Sequence, residues 1–280
     1  LIIKEIEADA KQYGDARRTQ IIEEAPSSST TKAPAVLDEP VTILLSKNGW
    51  LRARPGHGLD LTQVNFKTGD ALSGAIETRS THPVVFIDSK GRAYSIQASD
   101  APTGRGDGVP VTSLIELQDG GKLCHMLSGD PETKYIFAGE AGYGFYTALK
   151  NLVARPRAGK AFLSLDEGEL PLSPLMLPQD LSGLWLGCGS DAGRFVVFAL
   201  DEIKELPKGK GVKLISLDKD AKTCGLLTFS GNKLPLNLAV RGRNFKLVLE
   251  GEELEKHRGH RAAKGVYLPK KGLVVGKFEG

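Results

Sequence analysis

The chain has 280 residues, of which 40% are hydrophobic and 25% charged, and its formal net charge is +3. This balance is typical of a soluble globular protein with one large or two ordinary domains. No apolar run approaches the roughly 20 residues of a membrane-spanning helix, which argues against a membrane protein. The three cysteines lie far apart and form no Cys-x-x-Cys pair, which argues against a disulfide framework and a zinc site and favours a reducing cytoplasm.

The first segment of the chain is predicted to be a helix followed by a linker. Ile2, Ile6, Ala10 and Tyr13 are spaced by four, four and three residues, as on one face of an amphipathic helix. The chain begins at Leu1 without a signal peptide, so we expect a piece of a longer protein whose remainder packs on that face. We assign 1–24 to this helical segment and 25–39, rich in Ser, Thr and Pro, to a flexible linker.

From residue 40 onward an internal repeat dominates the sequence. Each copy has an apolar run, a small or acidic turn residue, a glycine and a second apolar run, which together predict a β-hairpin. The turn glycines, spaced by 42, 51, 51 and 49 residues, are Gly49, Gly91, Gly142, Gly193 and, in a degenerate fifth copy, Gly242.

A second element trails each hairpin and keeps the same period. It is plainest in 159–165 and 211–217, which read Gly-Lys-Ala-Phe-Leu-Ser-Leu and Gly-Val-Lys-Leu-Ile-Ser-Leu. Its glycines, spaced by 51, 52 and 54 residues, are Gly108, Gly159, Gly211 and Gly265. Short strands that repeat at about 50 residues are typical of radially arranged blades. We therefore predict an all-β fold over 40–280, a five-bladed propeller-like disc whose ring is either closed or open between blades one and five.

The loop before each second glycine is basic, and the fifth copy carries Arg258, Arg261 and Lys264 there. A loop that recurs once per blade would place its cations at equivalent points around the disc and form a positive belt. Such a belt suits the phosphates of duplex DNA, bound without base readout and with strong salt dependence. A single surface cation is more often merely solvated, so the recurrence carries the prediction. The predicted phosphate contacts are Lys47, Arg52, Arg54, Lys67, Arg92, Arg105, Arg155, Arg157, Lys160, Arg194, Lys208, Lys210 and Lys213.

Several ordered stretches resemble one protein family. Residues 4–10 (Lys-Glu-Ile-Glu-Ala-Asp-Ala) and 13–19 (Tyr-Gly-Asp-Ala-Arg-Arg-Thr) are similar to the segment that closes the catalytic core of the A subunits of topoisomerase IV and gyrase. Stretches that resemble the topoisomerase IV protein in particular are 39–43, 83–88, 141–145 and 152–155. The similarity spans nearly the whole chain and is weakest after about Asp218.

The resemblance implies a β-pinwheel, a disc whose blades exchange strands and whose basic outer edge bends DNA. Gyrase carries a basic box, Gln-Arg-Arg-Gly-Gly-Lys-Gly, in the first blade, where this chain has Asn-Phe-Lys-Thr-Gly-Asp at 65–70. The missing box favours topoisomerase IV, whose role is decatenation and relaxation. The resemblance also implies that the cleaving tyrosine, ATP and Mg²⁺ belong to other parts of the enzyme, so this fragment is not itself an enzyme. The implied partners are double-stranded DNA, the catalytic core and the topoisomerase IV B subunit, in the bacterial cytoplasm.

Two other functional classes compete with DNA binding. The disc could be a propeller-type protein-interaction module in which the loop charges are incidental. A separate enzyme is the least favoured class, since no carboxylate pair, nucleophile–base set or metal cluster recurs in the sequence. Trp50 and Trp185 are predicted to pack between blades, with DNA contact as the alternative for Trp50 because Arg52 and Arg54 are close.

Overall fold

The structure is a computed structural model that describes residues 2–14, 37–104, 106–240, 243–269 and 278–279. The chain divides into two compact units, Leu1–Ala35 and Val36–Gly280. In the described part of the first unit, helix α1 (Ile2–Tyr13) confirms the predicted helix, and none of its residues is buried. Gly14 ends it by donating its backbone N–H to the Ala10 carbonyl at 3.1 Å. No helix among the described residues is long and apolar enough to cross a membrane.

Most of the predicted linker, 25–39, lies outside the described residues. Its last three residues belong to the second unit and are hydrogen bonded to the Arg79–Thr81 turn. The Ser80 N–H donates to the Glu39 carbonyl at 2.9 Å, and the Arg79 guanidinium lies 2.6 Å from the Asp38 carboxylate. The hydrogen-bonded structure of the second unit therefore includes residues before Pro40.

The second unit is built almost entirely of short antiparallel strands. In chain order they are β1 (Pro40–Ser46), β2 (Trp50–Pro55), β3 (Leu72–Arg79), β4 (Pro83–Asp88), β5 (Arg92–Gln97), β6 (Val109–Pro110), β7 (Leu123–Ser128), β8 (Lys134–Ala138), β9 (Tyr143–Ala148), β10 (Lys160–Ala161), β11 (Leu175–Met176), β12 (Trp185–Ser190), β13 (Arg194–Ala199), β14 (Val212–Lys213), β15 (Thr223–Phe229), β16 (Lys233–Val240), β17 (Arg243–Glu250), β18 (Val266–Tyr267) and β19 (Phe278–Glu279). Helix α2 (Gly251–His257) follows β17. Short 3₁₀ turns lie at Leu61–Gln63, Ala98–Asp100, Val111–Ser113, Leu149–Leu152 and Leu200–Glu202.

Among the described residues these strands form five sheets, called here blades one to five. The strand orders are β3-β1-β2-β6, β7-β4-β5-β10, β11-β8-β9-β14, β15-β12-β13-β18 and, with three strands, β19-β16-β17. Each blade contains a hairpin, which is central in the first four, and there the turn glycine has φ between +75° and +84°. The hairpins confirm the predicted repeat; the fifth joins Val240 to Arg243 in register, while Gly242 lies outside the described residues.

The strand at one edge of each of the first four blades comes from the following repeat. Strand β6 follows the hairpin of blade two but pairs with β2 of blade one, and β10, β14 and β18 repeat this exchange one blade further on. The second glycine precedes each exchanged strand. A Cβ on Gly211 would lie 2.1 Å from the Gly144 carbonyl oxygen, and one on Gly108 would lie 2.0 Å from that of Leu51. Glycine is required there because the backbones of neighbouring repeats approach so closely.

Apolar side chains that alternate along the hairpin strands join successive blades. In β4, Phe86 packs toward blade one and Val85 toward blade three. Blades three and four meet through Ile136 and Phe198, and blades four and five through Val197 and Leu236. Each sheet of the middle blades thus buries both faces, as the period of two along a strand allows.

The faces of the first and last blades that lie away from their single neighbour differ from each other. In blade five, Leu234, Leu236 and Leu238 are buried while the residues between them are exposed. In blade one, the segment that follows β2 lies on the outer face, where the Thr42 hydroxyl donates to the Gly56 carbonyl at 2.7 Å. None of the buried clusters in the described part of the chain joins blades five and one. Among the described residues, the buried clusters therefore join each blade only to its neighbours along the chain.

Replacing Gly211 by alanine should weaken the strand exchange specifically. Gly231 is the matched control, because its φ of +82° is close to the +81° of Gly211 but no atom lies within 4 Å of an added Cβ. Gly231→Ala should lose about 1 kcal/mol of unfolding free energy from backbone strain. Gly211→Ala should lose a further 1–3 kcal/mol, roughly, from the steric clash. Urea unfolding of both variants measures the difference, and equal losses would contradict the proposed need for close approach.

His257 lies buried where α2 packs on blade four. Its ring meets Phe195 edge to face at 5.7 Å, its Nδ1–H donates to the Phe195 carbonyl at 3.2 Å, and its Nε2 is buried without a partner among the described residues. Burial lowers the pKa of His257, although the Phe195 carbonyl, through this hydrogen bond, and the Glu253 charge oppose the shift. The folded protein therefore holds the neutral ring.

The unfolding free energy should fall as the pH drops below about 6.5, the ordinary histidine pKa. Below that pH the unfolded chain binds a proton that folded His257 resists, whereas above it this contribution is fully present. Unfolding titrations of the wild type and of His257→Gln on both sides of that pH measure the effect. The variant should show a smaller loss on acidification, and parallel pH profiles would exclude His257 as the cause.

Candidate nucleic-acid interface

The basic loops of successive repeats contact one another along the exchanged edge of the blades. We call the segments 106–116, 153–164, 205–216 and 258–267 the loop belt. The Glu116 N–H donates to the Arg157 carbonyl at 2.9 Å, which joins the first two segments. Gly209 exchanges backbone hydrogen bonds with Phe162 and Ser164 at 2.8 and 3.0 Å, and the last two segments are joined at Leu214 and Ser216. The predicted recurrence is therefore a continuous strip of neighbouring loops.

Two predicted contacts, Arg155 and Lys208, are exposed on the loop belt, and neither side chain has a hydrogen bond or ion pair among the described residues. Between them Lys160 is partly buried, and its ammonium donates to the Val153 carbonyl at 2.7 Å. Burial, together with the positive charge of Lys208, lowers the pKa of Lys160. These neighbouring cations thus produce a local positive potential on the belt.

Three predicted contacts are instead arginine clamps, side chains that hold the exchanged loop of the next repeat. Arg52 donates to the Gly106 carbonyl at 2.8 Å, Arg92 to the Ala158 carbonyl at 2.7 Å, and Arg194 to the Gly265 carbonyl at 3.1 Å. Arg52 is only 4% exposed and also donates to the Asn65 carbonyl at 2.7 Å. These guanidinium groups are therefore already bonded to backbone carbonyls next to the strand exchange, and their role as phosphate contacts stays a prediction.

Other predicted contacts are held by protein groups but keep part of their surface in water. Arg157 is exposed and donates to the Leu114 carbonyl at 3.0 Å and to the Ser113 carbonyl. Lys210 lies 2.7 Å from the Asp166 carboxylate and 4.7 Å from the centre of the Tyr143 ring. Lys213 lies over the same ring at 6.0 Å, without a hydrogen bond among the described residues.

A second group of cations lies on and beside the hairpin of blade one. Lys47 is exposed, Arg54 is partly buried without a side-chain partner in the described part of the chain, and Lys67 lies 3.8 Å over the Trp50 ring. Trp50 pairs with Pro110 at the end of the loop belt, so this group continues the belt onto blade one. The packing prediction for Trp50 was wrong, since it is absent from the clusters that the described residues form between blades.

Trp185 does contribute to the packing between blades four and five, as predicted. Its ring also contacts Arg258, whose guanidinium lies 3.9 Å from the ring centre.

The basic residues of the fifth copy, which were left out of the predicted contacts, also lie on the loop belt. The Arg261 side chain has no partner among the described residues, and Lys264 contacts Asp218 at 2.5 Å. Their recurrence before Gly265 was the signal that could have found them. Arg105 lies outside the described residues.

Comparison with known proteins identifies the family of this chain. A family model described as DNA gyrase C-terminal domain, beta-propeller, matches residues 134–170 and 188–228. The solved structure of the E. coli ParC C-terminal domain is 36% identical, with a TM-score of 0.75, over 82% of this chain and 94% of that one. The chain belongs to the family of C-terminal domains of topoisomerase IV A subunits. This confirms the resemblance stated above and the relation to the gyrase domain.

Two curated members of the family show the extent of the match. The A subunit of DNA topoisomerase 4 from Escherichia coli K12 is 36% identical over 96% of this chain, and that from Neisseria gonorrhoeae is 46% identical over 78%. The aligned part covers 36% and 28% of those two proteins, so the chain spans about a third of their length. A gyrase A C-terminal domain, 18% identical with a TM-score of 0.57, shares the fold.

The clamp interpretation predicts different stability effects for two arginines of this topoisomerase IV-type domain. Arg92→Met should lower the unfolding free energy by about 1.5–3 kcal/mol, the usual range for hydrogen bonds to a charged group. Arg155→Met should stay within about 0.5 kcal/mol of wild type, because the side chain is solvated. Guanidinium unfolding gives both values. Equal stability of the two variants would contradict the clamp.

Proposed function

We propose that the domain binds duplex DNA along the loop belt, through phosphate contacts that do not read sequence. The observation that carries the proposal is the continuity of the belt, which sets the exposed Arg155 and Lys208 on adjoining loops. Adjacent cations on a strip of loops suit a polyanion whose charges are regularly spaced. The names of its relatives, DNA topoisomerase and DNA gyrase, support the same ligand.

The proposed contacts differ from the residues predicted by sequence. Free or partly free cations remain candidates, whereas the three arginine clamps act indirectly by holding the belt in place. Arg105 remains a prediction. The contact set that we propose consists of Lys47, Arg54, Lys67, Arg155, Arg157, Lys160, Lys208, Lys213 and Arg261.

In the whole protein, we propose, the domain acts as the accessory part of a type II topoisomerase in the cytoplasm. It bends and orients the DNA segment for decatenation and relaxation, while the catalytic core and the B subunit supply cleavage and ATP- and Mg²⁺-dependent strand passage. In this proposal the catalytic residues lie in the other parts of the enzyme. Among the described residues no group of three or more His, Cys, Asp or Glu side chains is arranged to hold a metal.

The salt dependence of binding tests the proposal. Fluorescence anisotropy with a labelled duplex of mixed sequence should show tight binding at low salt, with the logarithm of the association constant falling linearly as log salt rises. Two duplexes of unrelated sequence should bind alike. A failure to bind at low salt would overturn the proposal and favour a protein-docking module.

Charge reversal tests the location. The double variant Arg155→Glu and Lys208→Glu should weaken binding by at least about tenfold, since both favourable phosphate contacts become repulsive. The control is the double variant Lys122→Glu and Lys246→Glu. Both lysines are exposed; Lys122 lies next to β7 on the opposite edge of blade two, and Lys246 lies in β17 of blade five, outside the loop belt. Equal weakening by the two double variants would show that total charge, and not the belt, determines affinity.

A further inference from the structure

An ion pair recurs at equivalent positions, between a lysine of one belt segment and an aspartate two residues after the end of the preceding segment. Lys210 directly precedes Gly211 and contacts Asp166, which lies seven residues after Gly159. Lys264 directly precedes Gly265 and contacts Asp218, which lies seven residues after Gly211. Each pair therefore joins the lysine before one second glycine to the carboxylate that follows the second glycine of the preceding repeat.

Both pairs are close and reachable by solvent. Lys210 and Asp166 are 2.7 Å apart, with side chains 37% and 62% exposed, and Lys264 and Asp218 are 2.5 Å apart, 55% and 25% exposed. Asp166 raises the pKa of Lys210, and the bonds from Lys264 and Arg194 lower the pKa of Asp218. Each lysine is thus charged, but an aspartate carboxylate already occupies the position next to its ammonium group that a DNA phosphate would need.

The junction between repeats two and three lacks this arrangement. The same two positions hold Ala158 and the buried Ile115, so neither the lysine nor the carboxylate of the ion pair is present there. The exposed Arg155, without a side-chain partner among the described residues, lies three residues before Ala158. At this junction no aspartate pairs with a belt lysine, whereas at each of the next two junctions one does.

We propose that Asp166 and Asp218 are intramolecular competitors for DNA phosphate, which keep Lys210 and Lys264 out of the contact set and hold the affinity of the belt below what its cations allow. The inference rests on the proposed function. Exposed ion pairs contribute little to stability, so these carboxylates can be removed without unfolding the blades. A released lysine adds one phosphate contact, which steepens the dependence of log K on log salt by about 0.9.

The variant that tests the proposal is Asp166→Asn, because Asp218 also binds the clamp residue Arg194. Glu132→Gln is the matched control: it removes one carboxylate, 69% exposed and 2.8 Å from Lys150, outside the loop belt. With the 280-residue chain and a labelled duplex, Asp166→Asn should raise the association constant by about two- to five-fold, the size of one exposed charge pair. Its salt slope should also steepen, whereas Glu132→Gln should leave the slope unchanged.

Lys210→Gln, alone and combined with Asp166→Asn, completes a double-mutant cycle. It should change the affinity of the wild type little, because the lysine is already occupied, but it should cancel the gain in the Asp166→Asn background. If Asp166→Asn and Glu132→Gln behave alike, or if Lys210→Gln leaves the gain intact, the competition is excluded while DNA binding stands. If the wild type shows no salt-dependent binding, the proposed function fails and the competition fails with it.

Discussion

The contact on which this fold depends is the close approach of each second glycine to the preceding blade. Gly211 lies so near the Gly144 carbonyl that a methyl group would not fit, and the exchanged strand β14 follows directly. The approach completes one sheet with a strand from the next repeat, so blades are linked by backbone hydrogen bonds as well as by apolar packing. It also brings the loop before the glycine to the edge of a neighbouring blade. The same contact therefore organises both the core and the surface strip of cations.

Proximity to that contact decides what each cation does. Arg92 and Arg194 start the second hairpin strand, next to the exchanged strand, and donate to its loop. Blade three has Tyr143 at the equivalent position, and there the cations Lys210 and Lys213 come from the exchanged segment and lie over the ring. Arg155 is further from the exchanged strand, and its side chain has no partner in the described part of the chain. A count of basic residues therefore overstates the number of charges available to a ligand.

The repeat made most of the fold predictable. Turn glycines and short apolar runs predicted the hairpins at their observed places. The positive φ of a tight turn favours glycine, and the side chains of a strand alternate between its two faces, so both features leave clear sequence patterns. The clamps could not be predicted, since an arginine that recurs in phase has the same sequence signal whether it binds phosphate or a carbonyl. Trp50 was misjudged for a related reason: its neighbours along the chain do not reveal that Lys67 lies over its ring. By contrast, residues 233–238 (Lys-Leu-Pro-Leu-Asn-Leu) alternate leucine with other residues, a pattern that indicates a strand with one buried and one exposed face in blade five.

The linear order of the apolar contacts between blades, as the described residues show it, connects stability with binding. In a linear series of blades, stability is approximately a sum of single units and nearest-neighbour interfaces. Among the described residues the terminal blades each have one apolar interface instead of two, so we expect them to open most readily. The loop belt crosses these interfaces and is hydrogen bonded across them at Arg157, Gly209 and Ala263. A polyanion that spans several belt segments would therefore bind the assembled series in preference to an opened one, and by linkage it would stabilise the interfaces between blades.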